Sequence, residues 1–203
     1  MITLVDYGLG NIHAFVHIYK RLNIRCVSAR SVSDLTDAQK IILPGVGSFD
    51  WAIQQLNDSG MRDVLDDLVL NQHRLVLGVC VGMQMMARHS EEGVLPGLGW
   101  LDAEVKRFDE SRIHQKTRLP HMGWNDVTPL VGDALFRDIN SPRFYFLHSY
   151  YFAPGVPSQR LAETDYHGPF TSAVRCGNIY GVQFHPEKSH EWGVKLLKNF
   201  AEL

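Results

Sequence analysis

Two short segments carry the residue types needed for nucleophilic catalysis. In the first, Leu75-Val76-Leu77-Gly78-Val79-Cys80-Val81-Gly82-Met83-Gln84, an apolar run reaches a cysteine flanked by glycines two residues away on either side, and a helix-like stretch follows. This is a nucleophile elbow with Cys in place of Ser. The turn needs strained backbone angles, and Gly78 and Gly82 let strand and helix approach without a Cβ clash. Cys80 is then expected at the C-terminal edge of a sheet, where open α/β folds place their sites. The positive end of the following helix favours a thiolate, and the Val81 N–H can face an oxyanion.

A thiol nucleophile needs a base and a group to hold that base. Phe184-His185-Pro186-Glu187 offers both at the end of an apolar run. In extended backbone, residues i and i+2 face the same way, so the Glu187 carboxylate can sit beside the His185 imidazole and fix its tautomer. Pro186 disfavours helical angles at His185 and keeps the segment extended. The remaining cysteines, Cys26 and Cys176, read as bystanders. Three widely spaced cysteines without a CxxC argue against a disulfide framework and a thiolate zinc site. The ten histidines are scattered and no HExxH occurs, so no metal is expected.

The elements that must position these groups are visible as pattern. Ile2–Val5, Ile24–Ser28, Lys40–Leu43 and Leu75–Val79 read as strands. Asn11 caps a helix with Ile12, Phe15, Val16 and Tyr19 on one face, and Met61, Val64, Leu65 and Leu68 mark a second helix. The second half changes character: Trp100–Phe108, Arg143–Tyr151, Ser172–Arg175 and Ile179–Phe184 read as strands, with Cys176-Gly177-Asn178 a three-residue hairpin turn between the last two. Ser189 or His190 then opens a closing helix bearing Trp192, Leu196, Leu197 and Phe200. The expectation is a three-layer α/β fold: a mostly parallel central sheet with helices on both faces and added antiparallel strands in the second half.

The 203 residues are 45% hydrophobic and 21% charged, which fits a globular chain and excludes disordered and collagen-like classes. With no repeat or linker visible, residues 1–203 are expected to form one domain. The net charge of −2 is too balanced to suggest nucleic acid or an anionic membrane as partner. A small molecule or another protein is expected instead. Met1 leads directly into an apolar strand, read as a cytoplasmic start without a leader.

Taken together and in this order, the Cys80 and His185 segments resemble the class I, triad-type glutamine amidotransferases. Within that family, Asp6-Tyr7-Gly8-Leu9-Gly10-Asn11, Pro44-Gly45-Val46-Gly47-Ser48-Phe49, Pro120-His121-Met122-Gly123-Trp124-Asn125 and Phe146-Leu147-His148-Ser149-Tyr150 are similar to the glutaminase subunits of imidazole glycerol phosphate synthases. The similarity runs to His185-Pro186-Glu187-Lys188-Ser189 and Asn199-Phe200, nearly the whole chain. One departure is Val81, where the family usually has Leu; the change spares the backbone N–H.

The resemblance implies hydrolysis of glutamine to glutamate and ammonia without a cofactor. It also implies a heterodimer in which ammonia passes to a cyclase subunit of (β/α)8 barrel fold that forms imidazole glycerol phosphate in histidine biosynthesis. It makes Cys80, His185 and Glu187 the triad, and Val81 with Val46 or Gly47 the oxyanion donors. Gly45, Gln84, His148, Ser149 and Tyr150 would bind glutamine, while Asn11, Trp124 and Lys188 would face the partner. From the residues alone, Gly8-Leu9-Gly10 is equally well a plain strand-to-helix turn, Trp124 a core aromatic and Lys188 a solvated lysine.

Three other readings stay open on the sequence. The triad serves a partner-free hydrolase of γ-glutamyl or peptide bonds equally well. A paralogue could supply ammonia to a different synthase, such as one amidating a nucleotide-linked sugar. A non-catalytic binding subunit is the third, against which the intact triad argues.

Overall fold

The structure is a computed structural model that describes residues 1–113 and 118–203. Alternation of buried strands with amphipathic helices builds the first half: β1 (Ile2–Val5), α1 (Ile12–Arg21), β2 (Cys26–Ala29), α2 (Val32–Leu35), β3 (Lys40–Gly45), α3 (Phe49–Asp58), α4 (Arg62–Asp66), β4 (Leu75–Cys80) and α5 (Val81–Gln84). The second half adds β5 (His89–Ser90), β6 (Ala103–Arg107), β7 (His121–Asp126), β8 (Thr128–Pro129), β9 (Arg143–His148), β10 (Tyr150–Pro154), β11 (Arg160–Asp165), β12 (Pro169–Cys176), β13 (Ile179–Val182) and α6 (His190–Glu202).

Among the described residues, one sheet of order β2-β1-β3-β4-β13-β12-β11-β8 runs through the molecule. Its first five strands are parallel, and β12, β11 and β8 continue it antiparallel. β1 is buried along its whole length and β3 and β4 beyond their first residues, as strands covered on both faces must be. This is the expected mostly parallel α/β sheet with antiparallel additions. Smaller sheets, β10-β6-β5 and β7-β9, lie beside it. Among the described residues, no helix is long and apolar enough to cross a membrane.

Several expected elements shift. The second strand begins at Cys26 and ends at Ala29, and Trp100 to Asp102 lie outside β6. The helix read over Met61–Leu68 is α4 continued by a π turn over Asp67–Asn71. Register pairs Cys176 with Ile179, so the hairpin turn is the two residues Gly177 and Asn178 rather than three. Arg143–Tyr151, read as one strand, is two that change sheets at Ser149: β9 pairs with β7, and β10 pairs with β6. Helix α3 was not anticipated, although its buried Phe49, Ala52, Ile53 and Leu56 carry the helical spacing.

Candidate active site

Strands β1, β3, β4 and β13 are parallel, so their C-terminal ends share one edge, and the glycine-rich turns follow there. The Asp6–Asn11 turn lies against Pro44: the Tyr7 hydroxyl donates to the Pro44 carbonyl at 2.7 Å, and a Cβ on Gly10 would stand 2.7 Å from the proline ring. Asn11 caps α1 by accepting from the Ala14 N–H at 3.3 Å.

Cys80 ends β4 with φ 55° and ψ −114°, a left-handed angle outside the range comfortable for a side chain, costing about 1–3 kcal/mol. What holds it there is close packing beneath α5. A Cβ on Gly82 would sit 1.9 Å from the Leu43 carbonyl oxygen, and one on Gly78 would sit 2.8 Å from Gly82 O and Met83 Cα. The two glycines thus do the job read for them. Gly45, expected to bind glutamine, is a third member of this packing: it pairs with Cys80 in register, a Cβ there would approach Gly82 N to 2.3 Å, and it does not line the cavity. The expected helix-dipole help is also small, because α5 is only four residues long. The unpaired first N–H of α5, from Val81, is what the turn supplies.

His185 follows β13, and the chain turns through Pro186–Lys188. Its Nδ1 is 2.9 Å from Glu187 Oε1, and Cys80 hydrogen-bonds the same ring. The side chains of both His185 and Glu187 are buried, and Cys80 is 3% exposed. Burial of the ring opposes its positive charge. The charge and hydrogen bond of Cys80, with those of Glu187, outweigh that and push His185 up to about 10. By contrast, burial pushes the Cys26 thiol up to about 11, and Cys176 is exposed at the end of β12.

A cavity of about 460 Å³ opens on Cys80 and His185. Val46, Gly47, Val81, Gln84, His148, Ser149, Tyr150 and Lys188 line it, as the resemblance implied for all but Lys188, expected at a partner face. Two charged lining residues were missed: Glu92 and Arg107. Burial raises the Glu92 carboxyl, against the pull of the Phe49 N–H it accepts at 2.8 Å and with Asp50 adding to the rise. That bond also holds the start of α3, just beyond the Val46-Gly47 turn. No motif surrounds either residue, since each reaches the cavity from a different loop or strand.

The floor is a hydrogen-bonded lattice. Gln84 Nε2 donates to the Tyr150 carbonyl and to Gln183 Oε1, each at 3.0 Å, and Gln183 Nε2 lies 3.8 Å from Cys80 Sγ. Beside the cavity, Trp124 stacks on His190 with ring centroids 5.1 Å apart, and Lys188 Nζ lies 5.8 Å from the centre of the Tyr145 ring, Tyr145 being the register partner of Trp124. Trp124 is thus a surface aromatic. With Met122 and Leu147 it forms an exposed apolar strip on the β7-β9 ribbon.

A strand-turn-helix cysteine with a buried His–Glu pair is shared by several hydrolase families, so comparison with known proteins decides the family. The model for "Glutamine amidotransferase class-I" matches residues 3–203. The chain belongs to the class I glutamine amidotransferases. Similar proteins include "Imidazole glycerol phosphate synthase subunit HisH" of Bdellovibrio bacteriovorus, 54% identical, and of Leptospira interrogans, 48% identical, each aligned over 100% of both chains. A "subunit HisH 2" of Methanococcus maripaludis is 41% identical over 100% of this chain and 99% of its own. Among solved structures, a glutamine amidotransferase superposes with TM-score 0.75 at 19% identity, covering 100% of this chain and 99% of that one. PurLQS from Thermotoga maritima gives 0.70 at 15%, with 99% and 97% covered. At these identities the structural likeness speaks for the fold.

Proposed function

We propose that residues 1–203 act as one glutaminase domain, the ammonia-producing subunit of an imidazole glycerol phosphate synthase in histidine biosynthesis, working in the cytoplasm. The observation that carries this reading is the buried Cys80–His185–Glu187 constellation opening on a cavity of amino-acid size, in a chain 54% identical, end to end, to a synthase subunit.

In the proposed cycle, His185 takes the Cys80 proton and the sulfur attacks the side-chain carbonyl carbon of glutamine. The oxyanion is stabilised by the N–H of Val81 and by that of Val46 or Gly47, each donor contributing about 2.7–4 kcal/mol. His185 returns its proton to the departing nitrogen, and ammonia leaves a thioester on Cys80. Water then attacks the thioester, giving its proton to His185, and collapse releases glutamate and restores the thiol. Glu187 holds the ring through Nδ1 in both halves. Gln84 and the His148-Ser149-Tyr150 segment bind the α-amino and α-carboxylate groups, and Glu92 and Arg107 supply the opposite charges that a zwitterion needs.

The partner is a cyclase subunit of (β/α)8 barrel fold, docked where Asn11, Trp124 and Lys188 meet the cavity edge and covering Met122 and Leu147. The exposed apolar strip beside the cavity supports this placement. Assay of ammonia release with the chain alone, then with the cyclase and its ligand, tests the reading. Weak activity alone and a rise of about 10²-fold or more on mixing is expected; equal rates in the two conditions would overturn it.

A further inference from the structure

Behind the cavity lie two buried histidine rings to which the proposed cycle gives no proton-transfer step. His121 of β7 and His148 of β9 are register partners, and His121 Nδ1 is 2.9 Å from His148 Nε2. His148 lines the cavity, whereas His121 does not. The His121 ring is stacked between Tyr166 and Phe146, with centroids 4.1 and 4.7 Å away.

Two backbone carbonyls determine every proton along this pair. Asn125 Oδ1 accepts from the Asp126 N–H at 2.8 Å and its Nδ2 donates to the Asp165 carbonyl at 2.8 Å, so the amide orientation is set. The same Nδ2 lies 3.2 Å from His121 Nε2, which must therefore accept. His121 then carries its proton on Nδ1 and donates to His148 Nε2. His148 in turn carries its proton on Nδ1 and donates to the Tyr150 carbonyl at 2.8 Å. Both rings are neutral, each with one proton and one direction. Burial holds His121 down to about 4, and burial with His121 and His185 nearby holds His148 down to about 3, against the pull of the Tyr150 carbonyl.

The Tyr150 carbonyl is therefore gripped from two sides, by His148 from behind and by Gln84 from within the cavity. We propose that His121 and Asn125 are positioning residues for glutamine turnover: through the one-way chain Asn125→His121→His148 they hold the Tyr150 carbonyl and Gln84 in place for the substrate. This rests on the glutaminase reading above. It also ties the cavity to β7, whose outward Met122 and Trp124 form the exposed strip.

The chain's polarity gives a discriminating pair of variants. An asparagine side chain places its N–H where histidine Nδ1 stands, and glutamine places it near Nε2. In the complex with the cyclase subunit, His121→Leu is expected to lower kcat/KM for glutamine about tenfold, chiefly through KM, as loss of one buried hydrogen bond to the binding segment requires. His121→Asn should stay within about twofold of the parent, and His121→Gln should fall with the leucine variant, about fivefold or more below His121→Asn. If the leucine variant fails to fold, the Asn and Gln pair carries the test by itself. Equal kcat/KM for His121→Asn and His121→Gln overturns the positioning role while the parent complex still hydrolyses glutamine. A parent complex without glutaminase activity overturns the functional reading, and this proposal with it.

Discussion

His185 has to hold a proton at one point of the proposed cycle and lack one at another, and its surroundings supply the means. In the resting protein Cys80 and Glu187 overcome burial and push the ring up to about 10. Once Cys80 is a thioester its charge and hydrogen bond are gone, burial regains weight, and the ring becomes a base for the attacking water. Titration of the His185 ring by NMR tests this: Cys80→Ala, or alkylation of Cys80, is expected to lower its pKa from about 10 by more than one unit. An unchanged titration would assign the rise to Glu187 alone. A folded-state pKa above the unfolded value stabilises fully below about pH 6.5, and that contribution is lost as pH rises through about 10. At Cys26 burial outweighs the pull of the N-terminal ammonium and raises the thiol.

The elements matter because the elbow is a packing arrangement as much as a turn. The four-residue α5 lies so close to β3 and β4 that only hydrogen fits on Gly78 and Gly82. Gly82→Ala would drive a Cβ into the Leu43 carbonyl of a buried strand, where neither side is a flexible side chain. Loss of about 2–3 kcal/mol in urea-induced unfolding is expected, with a lower alkylation rate at Cys80 as the elbow opens. A variant with parental stability would show that α5 can lift off β3 at no cost. The break between β9 and β10 works at the same scale. By changing sheets at Ser149, the chain brings three consecutive residues, His148, Ser149 and Tyr150, to the cavity, which a continuous strand could not do, since Ser149 would face the side opposite to its two neighbours.

For the whole molecule, the exposed strip of Met122, Trp124 and Leu147 beside the cavity is the feature that calls for a partner. Trp124 is anchored by its stack on His190, which fixes the orientation of its ring at the surface. Met122→Ala combined with Trp124→Ala is expected to weaken association with the cyclase subunit about tenfold or more, read by titration calorimetry. Unchanged affinity would move the docking surface elsewhere.

How much of this was legible in the sequence depends on how local each signal is. The Cys80 elbow, the His185–Glu187 pair and the parallel strands were readable because backbone geometry and side-chain period act over a few residues. Gly78 and Gly82 could be read as close-approach positions, but Gly45 was assigned to the substrate because its neighbour in space, Gly82, is 37 residues away in the chain. Glu92, Arg107 and the His121–His148 pair were invisible for the same reason. Each takes its meaning from a residue on another element: Phe49 for Glu92, Tyr150 for Arg107, and a register partner 27 residues on for His121. The sequence by itself determined the Cys80 elbow, the His185–Glu187 pair and the layered α/β class. Only the tertiary structure decided the shape of the cavity, the proton order of the buried histidines and which aromatic side chains stand at the surface, because those depend on long-range packing that no local pattern encodes.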